Sequence, residues 1–106
     1  MEKKLSFEEQ MIRRYATDRY HWIVGGWINE YSDNGCVEGT LTVENLIEEI
    51  SDDLLKAKRN IRLECGPMLE PKHIRFIGKE RVIEIVRKRV ERLYKEEDGG
   101  RWPFEK

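Results

Sequence analysis

The chain has 106 residues, 39% hydrophobic and 39% charged, with a formal net charge of −1, a length that suits one domain (1–106) around one modest core. No apolar run reaches the length of a membrane span, and the charged start MEKKLSFEEQ lacks a signal peptide's apolar segment. A cytoplasmic protein with Cys36 and Cys65 reduced and with no membrane partner is therefore expected. The near-neutral total hides a segregation: residues 1–53 hold 5 Lys or Arg against 12 Asp or Glu, net −7, and residues 54–106 hold 15 against 9, net +6. Segregated charge bears on partners in a way that the total does not.

From Ser6 to about Tyr20, Met11, Ile12, Tyr15 and Ala16 recur at helical spacing, with Ser6 placed as an N-cap and Glu8 and Glu9 in the first turn. Arg19 to Val24 also reads as a strand whose Tyr20, Trp22 and Val24 share a face. YHWIVGGWINEY and CVEGTLT flank Ser32-Asp33-Asn34-Gly35, and Asn-Gly between alternating residues predicts a hairpin with a two-residue turn. Gly25-Gly26 would then mark a bulge or a close backbone approach in its first strand.

Thr42 can cap a second helix whose Val43, Leu46, Ile47, Ile50 and Leu54 form an apolar stripe beside Glu44, Glu48, Glu49, Asp52 and Asp53. Ile61, Leu63 and Cys65 alternate as a third strand that Gly66-Pro67 ends, and Ile74, Phe76 and Ile77 suggest a fourth. From Lys79 the period becomes 3.6, with Val82, Ile83, Val86, Val90, Leu93 and Tyr94 on one face and Ile85 at its edge. Gly99-Gly100 ends that helix, and the tail at 99–106, with Trp102 and Phe104, is expected to dock. The predicted class is two-layer α+β: an antiparallel sheet of about four strands with helices on one face, in the order α-ββ-α-ββ-α. A ferredoxin-like arrangement is the nearest alternative, but its βαββαβ order is not clearly supplied.

On a helical wheel, Arg81, Lys88, Arg89 and Arg92 fall on one flank of the last helix, and Glu80, Glu84 and Glu91 on the other. Such an edge suits an anionic partner such as nucleic acid or nucleotide, because arginine binds phosphate in a bidentate way. The simpler account is that the acidic second helix neutralises it within the fold. Gly78-Lys79, preceded by His73 and Arg75, reads as a strand-to-helix junction of the kind that binds phosphate, although the GxxxxGK[ST] pattern is absent. Trp22, Trp27, Tyr20 and Tyr31, with Tyr15 and His21 nearby, form an aromatic group available for stacking or for a protein interface, or else for core packing.

Glu48, Glu49 or Asp52 with His73 would be the residues of a metal-assisted hydrolase. The two Cys and two His, however, lack the paired spacing of a zinc site, and no nucleophile motif is present. No catalytic residue, metal ligand or cofactor is assigned. The expected function is a small intracellular binding or inhibitor module that occupies a partner through the basic helix edge and the aromatic hairpin. Inhibitors and adaptors of mobile genetic elements have this size. Nucleic-acid or nucleotide binding is the alternative, the metal-assisted hydrolase the second, and a homodimer through edge strands and tail is a further expectation.

Overall fold

The structure, a computed structural model, describes residues 5–34, 42–63 and 68–100, with the side chains of the first helix described as far as Gly26. That helix, α1, spans Phe7–Asn34. A reciprocal capping box starts it: Glu9 N–H donates to Ser6 Oγ at 3.2 Å, and Ser6 N–H donates to Glu9 Oε1 at 3.0 Å. Two backbone donors that a helix start leaves without partners are satisfied in this way.

The expected hairpin is overturned, because α1 runs through both its first strand and Asn34. Ile12, Ala16, Tyr20 and Val24 are buried at intervals of four, a spacing that fits one helical turn and is also a multiple of the strand period. Trp22 separates the two readings. On a strand it would share the face of Tyr20 and Val24, whereas here it is 71% exposed while they are buried. Asn-Gly is also a common way to end a helix, and Asn34 is the last residue of α1. The predicted return strand at 36–41 lies outside the described residues.

Helix α2, Val43–Leu55, forms where expected, with Thr42 Oγ1 accepting Asn45 N–H at 3.0 Å. Its stripe of Leu46, Ile47, Ile50 and Leu54 is buried. Strand β1, Ile61–Arg62, pairs antiparallel with β2, Met68–Leu69, in the register Ile61↔Leu69 and Arg62↔Met68. The third predicted strand is thus cut to two residues, and Cys65 lies outside the described ones.

The fourth predicted strand is instead helix α3, Pro71–Ile77, with Pro71 in its first turn, where a missing N–H costs nothing. Ile74 is buried and Phe76 is 91% exposed. Helix α4, Lys79–Glu96, buries Val82, Ile85, Val86, Val90 and Leu93; Ile85 belongs to the core, while Ile83 is half-buried. Gly78 separates the two helices with φ +94°, a conformation that side chains with a Cβ resist. Beyond α4, Gly99 and Gly100 also have positive φ, and Gly100 N–H reaches Tyr94 O at 2.9 Å. The expected docking of Trp102 and Phe104 falls outside the described residues.

The four-stranded α+β arrangement is therefore replaced by a mainly helical fold with, among the described residues, one two-stranded sheet. Helices α1 and α2 both pack along α4. Glu9 meets Arg81 near the starts of α1 and α4, and His21, midway along α1, meets Glu97 at the end of α4, so these two helices run parallel. The core lies between them and α2, with Leu63, Leu69 and Ile74 joining it from the sheet and α3.

Glycine inside a helix costs about 0.5–1 kcal/mol relative to alanine. Among the described residues, nothing beyond the chain neighbours and the helix's own backbone lies within 4 Å of the place a Cβ would take at Gly25 or Gly26. Gly25→Ala and Gly26→Ala should each raise helicity by far-UV circular dichroism and add up to about 1 kcal/mol in denaturant unfolding. A fall in both signals would return the segment to the strand reading.

Candidate functional site

The basic edge of α4 is largely matched by carboxylates. Arg81 Nε lies 2.5 Å from Glu9 Oε2 and its NH1 2.7 Å from Glu84 Oε1. Lys88 Nζ is 3.2 Å from the same Glu84 oxygen, and Arg92 Nε donates to Glu96 at 3.1 Å. The wheel set Glu84 apart from this edge, yet residues three and four apart on a helix are neighbours. The Lys88 hydrogen bond first, and the Lys88 and Arg81 charges after it, hold Glu84 below the usual carboxylate range.

The acidic second helix neutralises a different residue. Arg87 makes two hydrogen bonds to Glu44, at 2.5 and 3.1 Å, so Glu44 of α2 serves Arg87 while the predicted edge is served by α4 itself and by Glu9 of α1.

Lys79, Arg75 and His73 do not form a strand-to-helix phosphate site, since they stand on two helices with Gly78 between. His73 Nε2 is 3.9 Å from Glu70 Oε2, and Lys72 Nζ is 3.0 Å from that oxygen. Arg75 and Lys79 are exposed.

The aromatic group is divided. Tyr20 is buried and its hydroxyl donates to Asp98, while His21 Nε2 pairs with Glu97 Oε2 at 2.5 Å. Trp22 is exposed, with the Arg19 guanidinium 4.6 Å from its ring centroid. Arg19 also pairs with Asp53 at 3.5 Å, and the Tyr15 hydroxyl donates to Asp53 at 3.5 Å. Trp27 and Tyr31 belong to α1, but their side chains lie outside the described ones.

On α2, Glu48 and Glu49 are exposed, and Asp52 pairs with Lys56. Among the described residues, no three His, Cys, Asp or Glu side chains are gathered as for a metal ion. The residue set named for a hydrolase, Glu48, Glu49 or Asp52 with His73, is accordingly not brought together as a metal site.

A different group is gathered. Along the outer side of α1, Phe7, Met11, Arg13, Arg14 and Asp18 join Leu63 and, from α4, Arg89 to line an open groove of about 440 Å³. Met11 and Leu63 are buried and Phe7 is 61% exposed, which makes the floor apolar with one large ring at its edge. Thr17 holds the Arg13 carbonyl through a 3.0 Å hydrogen bond.

Among the described residues, Arg13 and Arg14 have no ion-pair partner. Of the predicted site residues only Arg89 belongs to this groove. Phe7, Arg13 and Arg14 were missed by the sequence reading, although an adjacent Arg-Arg pair near the start of an otherwise acidic half is a visible signal.

Comparison with protein families, curated proteins and solved structures finds no match. No helix among the described residues is long and apolar enough to cross a membrane.

One electrostatic feature of the groove end of the fold is measurable. The Ser6 backbone N–H first, and Arg81 after it, hold the Glu9 carboxyl below its ordinary value of 4.5. Since the folded pKa is the depressed one, its stabilisation is present above the unfolded value and is lost as pH falls through the folded pKa. Glu9→Gln should therefore lower the unfolding midpoint at neutral pH, and its deficit against wild type should close in acid. Equal deficits at neutral and acid pH would dismiss the ionic contribution.

Proposed function

We propose that this protein is a small binding or inhibitor module that acts by occupying a partner, with the groove beside α1 as its contact surface. The observation that carries this reading is the exposed Phe7 ring at the edge of a groove whose Arg13 and Arg14 have no internal ion pair among the described residues. The other predicted contact surfaces support it less. Arg81, Lys88 and Arg92 are paired within the chain, and Trp22 carries its own Arg19 against the ring. Large apolar residues beside arginine are the composition in which binding energy concentrates at protein interfaces.

The test is purification from the cells that make the protein, followed by mass spectrometry of what remains bound. Wild type should retain a polypeptide that Phe7→Ser and Arg14→Glu each release, with thermal unfolding of both variants close to wild type. Both residues face solvent, so folding should tolerate them. Undiminished retention by both variants would remove the groove from the interface. A retained species with the absorbance of nucleic acid would replace this reading with the nucleic-acid one.

A further inference from the structure

We infer that the groove takes an acidic polypeptide segment with one apolar anchor side chain, an inference that rests on the groove being the contact surface. Charge complementarity is the first ground. Among the described residues, Arg13 and Arg14 stand in the groove without an ion pair and Asp18 is the one carboxylate that lines it, so a segment bearing carboxylates would match the arginine pair. Arginine's planar fork meets a carboxylate through two parallel hydrogen bonds, and such charge-assisted bonds are stronger than neutral ones.

The apolar floor is the second ground. Phe7 is exposed beside Met11 and Leu63, and an aromatic or aliphatic side chain laid there would cover a ring that the fold leaves in water. Burying one large apolar side chain there is favourable enough to discriminate between segments of equal charge. Asp18 sets an orientation, because it repels carboxylates placed beside it. The partner's acidic residues therefore gather around the arginines and away from Asp18.

The same features disfavour a nucleic acid. A phosphate backbone needs a basic track continuing past the contact. Here Glu8 and Glu9 stand in the first turn of α1, and Arg81 and Lys88 of α4 are tied to Glu9 and Glu84. Arg13 and Arg14 form a short pair rather than a track along α1, and a groove of about 440 Å³ holds a few side chains.

The experiment uses the full chain and fluorescence anisotropy. The probe is a labelled peptide of about 12 residues, rich in Glu and Asp with one central Phe. Two comparison probes accompany it: the same peptide with Ala for Phe, and a single-stranded oligonucleotide of equal charge.

The Phe peptide should bind about tenfold more tightly than the Ala peptide, a difference of about 1.4 kcal/mol. Arg13→Glu and Arg14→Glu should each weaken it by about tenfold or more. Arg59→Glu, outside the groove, should leave it unchanged, and far-UV circular dichroism should report the same fold for all three variants.

Equal binding of the Phe and Ala peptides, tighter binding of the oligonucleotide, or indifference to Arg14→Glu would overturn the inference. If these peptides fail while groove variants still release the polypeptide retained from cells, the partner chemistry named here is wrong and the binding reading stands. If the variants release nothing either, that reading falls as well.

Discussion

Helices α1 and α4 run in the same direction, and their contact constrains everything between them. Antiparallel helices can be joined by a short loop, but after a parallel pair's first member the chain must travel back before the second begins. An α-helix of 28 residues is about 42 Å long, so the return is long. Helix α2, the two-stranded sheet and α3 occupy that return path, and each adds apolar residues to the core. The bridge from Glu9 to Arg81 holds the pair at its start, and the hydroxyl of Tyr20 on Asp98 holds the middle of α1 to the end of α4.

The apolar contacts and the ion pairs divide the work unequally. Full burial of a large apolar side chain is worth about 1.5–3 kcal/mol, while an exposed ion pair contributes about 0–1 kcal/mol. The buried stripes of α1, α2 and α4 therefore hold the fold, and the many surface bridges add little stability. Their larger effect is on the field outside the protein. Arg81, Lys88 and Arg92 are cancelled where they stand, whereas Arg13 and Arg14 beside Phe7 have no ion pair among the described residues.

Helices α2 and α4 were legible because each buries one continuous side and Thr42 and the paired glycines mark limits. Helix α1 was not, since intervals of four satisfy strand and helix periods together, and Asn34-Gly35 suits a hairpin as well as a helix end. The capping box at Ser6 and Glu9 marked where α1 starts but not how far it runs. Pro71 marks a first helical turn, and without weight given to it the short apolar run Ile74 to Ile77 reads as a strand. The groove was hidden for another reason: it joins Phe7, Arg13 and Arg14 to Leu63 and Arg89, residues that only the parallel packing makes neighbours.

The contact between Tyr20 and Asp98 joins residues 78 apart, which bears on the order of events at the ribosome. Synthesis at about 5–20 residues per second separates α1 from the matching part of α4 by roughly 4–15 s. Throughout that interval the stripe of Ile12, Ala16, Tyr20 and Val24 has been made and its eventual cover has not. Most helical stability in proteins comes from packing an apolar face rather than from propensity, so α1 gains its lasting form once α4 is there to cover that stripe. Truncation within α4 would remove the cover from α1 as well as the lost residues.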